Sequence, residues 1–204
     1  MKQSEIFLTG EGRAWTERNK HKLPPAIDPV LNAIKTVGLD PDNLLEIGCG
    51  NGWRLAALEE AIPGTRAYGI DPAVTDQRDP QVVYGTANRL PNNWTEQFDL
   101  VIYGFCLYLT DREDLFRIAS EGDRILADGG HLIVHDFAPE KPCSRPYEHR
   151  NGVTSYKMDY SLLWLGNPAY RIVYSSVDGT NSDATSVTIL KKDLQAAWPP
   201  EAHV

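Results

Sequence analysis

The chain has 204 residues, of which 42% are hydrophobic and 24% charged, and its formal net charge is −8. That length suits one domain with a substantial core rather than two. The acidic balance, with no Lys/Arg-rich run, argues against the positive footprint that DNA or large RNA requires and favours a small-molecule substrate.

The N-terminus, Met1-Lys2-Gln3-Ser4-Glu5, lacks the basic start and apolar core of a signal peptide. No apolar run approaches the roughly eighteen residues of a membrane span. Cys49, Cys106 and Cys143 have no metal-like spacing. These features lead us to expect reduced thiols in the cytoplasm, with no metal and no nucleic-acid or membrane partner. A homodimer is compatible with all of them.

In chain order, residues 1–25 are polar with scattered apolars and end in Pro24-Pro25. Residues 26–38 have helical spacing, with Ile27, Val30, Leu31 and Ile34 on one face. An apolar run, Leu44-Leu45-Glu46-Ile47, then meets three alternating glycines, Gly48, Gly50 and Gly52, and a second helical pattern starts at Trp53. This reads as a buried strand, a tight turn and a helix, with the glycines allowing positive φ and close approach of a ligand. Ala67 to Ile70 form a short strand that ends at Asp71-Pro72, about twenty residues after the loop, the spacing of a ribose-binding carboxylate.

Phe98 to Tyr103 is continuously apolar after Asp99, as a central parallel strand covered on both faces should be. A helix follows through Leu115–Ala119 and Ile125-Leu126, and Ala127-Asp128-Gly129-Gly130 is expected to close it at a glycine. His131 to Phe137 is the fifth strand. Residues 138–168 break the pattern with Pro139, Pro142, Pro146 and Gly152, yet carry Tyr147, His149, Tyr156, Tyr160 and Trp164. A stretch this long without core pattern is usually functional, and its aromatics argue against disorder. We expect a substrate lid with a helix over Met158–Leu165. Tyr170–Tyr174 and Thr185–Leu190 read as a terminal antiparallel pair. The tail from Trp198 onward reads as loose.

The dinucleotide fingerprint would place its third glycine where Trp53 stands. The observed Glu-x-Gly-x-Gly-x-Gly instead resembles motif I of class I S-adenosylmethionine (SAM) dependent methyltransferases. Gly85-Thr86-Ala87-Asn88-Arg89-Leu90-Pro91 resembles that family's Gly-Asp-Ala-x-x-Leu-Pro segment, with Thr86 in place of the acid. Gly104 to Asp111 resembles its segment after the fourth strand, with Tyr108 where many relatives carry histidine. The resemblance runs in order from about Leu44 to Phe137. It implies a Rossmann-like α/β fold with a seven-stranded, mostly parallel sheet, a terminal antiparallel hairpin and helices on both faces.

The same resemblance implies SAM as cofactor. Glu46, Gly48, Cys49, Gly50 and Asn51 would form its loop, and Asp71 with Pro72 would meet the ribose. The Ala87 backbone, beside Thr86, would meet the adenine, with Tyr103 at the end of the fourth strand. The start Glu5-Ile6-Phe7 to Arg18-Asn19 resembles the leader of methyltransferases associated with bacterial sugar and surface-polysaccharide biosynthesis. On that likeness Trp15, Arg18 and Asn19 fold over the cofactor, and Arg18 pairs with its carboxylate.

The expected organisation is a single domain: cap 1–25, cofactor-binding core 26–137, lid 138–168 and hairpin 169–192. Methyl transfer needs a general base only if the nucleophile arrives protonated. His135, His149 and Tyr108 are the candidates, with Asp136 beside them. The expected function is O- or N-methylation of a small polar metabolite such as a sugar intermediate. An NAD-dependent oxidoreductase and a non-catalytic SAM-binding subunit are the alternatives.

Overall fold

A computed structural model describes residues 1–21, 25, 27–74 and 81–200. Its main sheet contains β1 (Asn43–Ile47), β2 (Arg66–Asp71), β3 (Val82–Tyr84), β4 (Phe98–Gly104) and β5 (Leu126–Phe137). A separate antiparallel ribbon follows, β6 (Cys143–Pro146) with β7 (Thr154–Lys157). The chain then returns to the main sheet as β8 (Tyr170–Asp178) and β9 (Thr185–Lys192). The strand order is β3-β2-β1-β4-β5-β9-β8. The first five strands are parallel, and β9 runs antiparallel between β5 and β8. This is the Rossmann-like class I arrangement expected from the sequence. The order reverses between β1 and β4, which opens a crevice beyond their carboxyl ends.

Strand alternation divides the core into two layers. Leu45, Ile47, Val101, Tyr103, Leu132 and Val134 face α5 (Leu115–Ile125) and α6 (Leu162–Leu165). Leu44, Leu100, Ile102 and Ile133 face α3 (Pro29–Val37) and α4 (Trp53–Ala61). The α3 helix begins where Asp28 caps it, its Oδ1 accepting from the Leu31 amide at 2.8 Å, and ends at Gly38 with φ 74°.

Several expected boundaries move. Helix 26–38 starts at Pro29, and Ile27 is 75% exposed instead of sharing its apolar face. Pro24 and Ala26 lie outside the described residues, as do residues 201–204 of the tail. The α5 helix ends at Ile125, not at the 127–130 glycines. Leu126 is already extended and pairs with Phe98, so residues 127–130 bulge from β5 with Gly129 at φ 79°. The Met158–Leu165 helix is a single turn at Leu162–Leu165, because Trp164 and Tyr160 anchor the segment. The Trp164 indole donates to the Ala119 carbonyl at 3.2 Å, and the Tyr160 hydroxyl donates to the Tyr156 carbonyl at 2.7 Å.

The N-terminal segment is helical: α1 (Gln3–Ile6), a wider turn over Phe7–Glu11, and α2 (Gly12–Asn19). Buried Gln3 fixes it. Its amide donates to Leu109 O at 2.8 Å and Thr154 O at 3.2 Å, and its carbonyl oxygen accepts from Thr154 N at 2.6 Å. One side chain thereby ties the cap to both the turn after β4 and the ribbon. Among the described residues no helix is long and apolar enough to cross a membrane.

Candidate cofactor site

At the end of β1 the chain turns through Gly48 (φ 80°) and Gly50 (φ 57°), where side chains other than glycine are strained. The turn brings the Gly50 amide to Asp71 at the end of β2, donating to Oδ2 at 2.9 Å. Ala73 N donates to Oδ1 at 2.7 Å. Burial raises the Asp71 carboxyl above its ordinary value, and these two amides pull it back. Each oxygen retains acceptor capacity and Asp71 lines the crevice, so it can accept from two adjacent hydroxyls.

The crevice holds about 920 Å³ of empty space when its open mouth is counted. Gly48, Asp71, Pro72 and Gly104 line one part of it, and Thr86, Ala87 and Asn88 line another. Phe7, Gly12 and Trp15 of the cap form its roof. A Cβ on Gly12 would lie 3.0 Å from the Pro72 carbonyl carbon, so the cap seats backbone to backbone on the loop after Asp71. Trp15 lies over Gly50, 3.7 Å from where a Cβ would stand. Buried Asp71, the glycine turn and an arm lined by Thr86, Ala87 and Asn88 fit SAM.

Other expected site residues lie elsewhere, and strand parity explains most of them. Glu46 shares the Leu44 face, away from the crevice, and accepts from Arg54, which also binds Asp28 at 3.1 Å. Burial holds the Glu46 carboxyl at about 7, against the pull of Arg54. Tyr103 points into the opposite layer, donates to Ile118 O at 3.2 Å and packs on Trp164; Gly104 lines the crevice instead. Cys49 is buried beneath Gly69, and the Asn51 side chain accepts from Trp53 N at 3.4 Å. Arg18 is held by buried Glu11 and by the Tyr147 hydroxyl, so its charge already has a partner. Asn19 donates to Trp15 O at 2.7 Å. Of the three expected cap contacts, Trp15 alone lines the crevice.

His135, Tyr108 and His149 do not converge on the crevice. His135 shares the Ile133 face and packs edge-on against Phe105, 5.1 Å between ring centroids. Burial, with the Arg54 charge, pushes it down to about 4, so it is neutral at pH 7. Its Nδ1 has no partner among the described residues. Tyr108 packs on Phe105 and Phe137, and burial raises its hydroxyl well above the ordinary range. His149 is exposed at the ribbon tip beside Tyr147, 5.2 Å between centroids. Asp136 is an anchor: it accepts from Leu107 N and Phe137 N at 2.8 Å and from Tyr108 N at 3.3 Å, which shapes the turn after β4.

The sequence reading missed Phe105 and Asp114. Phe105 lines the crevice in a left-handed conformation, φ 58°, of the strained kind that clusters at functional sites. Asp114, at the start of α5, lines it beside Asn88. Neither belongs to a spacing motif. An aromatic directly after Gly104 was the available signal for the first.

Residues 45–134 match the family model described as a methyltransferase domain. No curated protein matches the chain. The fold is similar to that of the 1,6-didemethyltoxoflavin-N1-methyltransferase of Burkholderia thailandensis, solved with 1,6-didemethyltoxoflavin and S-adenosylhomocysteine. The identity is 15%, covering 93% of this chain and 88% of that one, with a TM-score of 0.72. It is also similar to a SAM-dependent methyltransferase of Methanosarcina mazei, with 19% identity, coverage of 82% and 99%, and a TM-score of 0.62. The N-methyltransferase NodS of Bradyrhizobium japonicum, solved with S-adenosylhomocysteine, gives 19% identity, coverage of 89% and 98%, and a TM-score of 0.59.

The sheet order and the glycine turn define a class I methyltransferase fold, which these likenesses share. The domain match carries the activity: residues 45–134 are a methyltransferase domain, and the crevice at its strand ends fits SAM as the donor.

Proposed function

We propose that the chain methylates nitrogen or oxygen of a small polar metabolite, a sugar or related biosynthetic intermediate, with no nucleic-acid or membrane partner. The observation that carries this reading is the crevice itself, with Asp71 in its wall and the cap seated over it on Gly12. A crevice roofed by the cap suits a small acceptor and limits water at the transfer. The net charge of −8 supports the same class. The leader likeness supports a sugar-type intermediate.

SAM, when bound, supplies an activated methyl group on sulfur. The chain's own part is to align the acceptor and keep it dry. Each ionisable side chain lining the crevice already has a hydrogen-bond partner, and we assign the acceptor positions left on Asp71 and Asp114 to the cofactor rather than to a methyl acceptor. Asp71 accepts from two amides, and Asp111 accepts from Gln3 N at 2.9 Å and Ser4 N at 3.2 Å. Asp114 accepts from Lys2 and Asn88. The Cys106 thiol donates to Ile47 O at 3.3 Å and is raised by burial. A hydroxyl needs its proton removed, whereas a neutral nitrogen brings its own lone pair. Nitrogen is therefore the favoured acceptor atom. Two of the similar structures are N-methyltransferases by name, which agrees.

The test uses methyl-labelled SAM with paired amino-bearing and hydroxyl-only acceptors of one sugar scaffold. Label in the amino-bearing member supports the reading. Label in the hydroxyl-only member alone would overturn the preference for nitrogen. Transfer only to protein or RNA would overturn the small-molecule class, and binding without any transfer would favour a non-catalytic subunit.

A further inference from the structure

We infer that Asp114 is the side chain that reads the amino group of the cofactor's base, so that the acid absent at Thr86 is supplied from the start of α5. The inference rests on the SAM site described above. Asp71 fixes the ribose, and the crevice beyond Gly48 and Gly104 takes the amino-acid end. The base is left with the other arm, between Thr86–Asn88 and Ile118. Ala87 and Ile118 give that arm apolar walls, 7% and 1% exposed.

Its polar groups are few. Thr86 supplies no carboxylate: its hydroxyl donates to Asn88 Oδ1 at 2.7 Å, and what it can accept it accepts as a neutral oxygen. The Asn88 amide in turn donates to Asp114 Oδ2 at 2.7 Å. Lys2 donates to Asp114 Oδ1 at 3.0 Å. Asp114 is 7% exposed and lines the crevice. An ionised carboxylate accepts only and has about four acceptor positions, of which Asn88 and Lys2 take two. The positions that remain on this crevice-lining carboxylate select a donor. Asp111, the neighbouring acid, is turned toward the Gln3 and Ser4 amides. A 6-amino purine offers N–H groups to this carboxylate, whereas a 6-oxo purine presents an oxygen and meets repulsion. Lys2 and Asn88 hold the acid in place from the cap and from the base loop, so closing the cap also completes the base site.

The experiment compares S-adenosyl-L-homocysteine with S-inosyl-L-homocysteine by calorimetry on the full chain. The wild type is expected to prefer the adenine compound about tenfold or more, the scale of one hydrogen bond to a charged group. Asp114→Asn keeps the shape and turns part of the acceptor into a donor, so the preference should collapse or reverse. Lys2→Met breaks the clip but leaves the carboxylate, so both compounds should weaken while the preference stays. Equal affinities in the wild type, a measurement that needs no variant, would overturn the inference. So would an Asp114→Asn preference matching wild type, or a Lys2→Met preference lost in the same way as Asp114→Asn. A wild-type chain that binds neither compound would overturn the cofactor site and this inference together.

Discussion

The Gly50 amide donates to the Asp71 carboxylate at 2.9 Å, joining the glycine turn to the end of the neighbouring strand across 21 residues of sequence. One side chain thus shapes the loop and keeps acceptor capacity in the crevice, which we assign to a ribose. Asp71→Ala should weaken S-adenosylhomocysteine binding at least tenfold, since charge-assisted hydrogen bonds contribute about 1.5–3 kcal/mol each. It should also lower stability by about 1–3 kcal/mol, because the amides of Gly50 and Ala73 lose their acceptor. Calorimetry and denaturant unfolding read the two effects separately. Unchanged affinity would place the ribose elsewhere.

Gly12 allows the cap to touch the loop after Asp71. Gly12→Val places a branched side chain where Pro72 C and Phe7 O stand at 3.0 and 3.1 Å from a Cβ. The cap should lift, with core stability little changed. Hydrogen exchange is the readout: residues 3–19 should lose protection in the variant, and cofactor affinity should fall with it. Normal protection together with normal affinity would mean that the contact is incidental.

The Asp28–Arg54–Glu46 group is buried, with Arg54 8% and Glu46 2% exposed. Removing the shared cation leaves the Glu46 carboxyl without its partner and Asp28 with the Leu31 amide alone. Arg54→Ala should therefore cost about 3–5 kcal/mol in urea unfolding. A cost below about 1 kcal/mol would show that the group is not a keystone of the β1–α4 packing.

His135 is depressed from 6.5 to about 4 by burial and by Arg54. A depressed group stabilises the fold above its unfolded value and loses that contribution as pH falls toward its folded one. His135 thus favours the native state above about pH 6.5 and costs stability between there and about pH 4. Glu46 and Asp136, both raised to about 7, work in the opposite direction over much of that window. The difference between wild type and His135→Gln isolates the histidine: the variant should gain relative to wild type as pH falls from 6.5 to 4. Parallel stability curves would contradict the burial argument.

The sequence made most of the fold legible because both periodicities are strong. Continuous apolar runs marked β1, β4 and β5, and Leu44 beside Leu45 already implied a sheet covered on both faces. In the site, the glycine turn and Asp71 could be read because the spacing of a backbone turn is local. Side-chain direction was harder. Glu46, Tyr103 and His135 sit on strands whose ends reach the crevice, yet alternation turns each toward a helical layer. Arg18 read as free for a ligand because nothing nearby in sequence announced that Glu11 would be buried beneath it. Asp114 reaches the base arm only through tertiary packing of α5 against the 86–88 turn.

The most direct test of the central claim is a pair of calorimetric titrations of the purified chain, one with S-adenosylhomocysteine and one with NAD. A ligand that binds only the native state also raises the melting temperature, which gives a second reading of the same samples. We predict saturable one-to-one binding of S-adenosylhomocysteine with an upward thermal shift, and neither effect with NAD. Binding and stabilisation by NAD, with none by S-adenosylhomocysteine, would contradict the account.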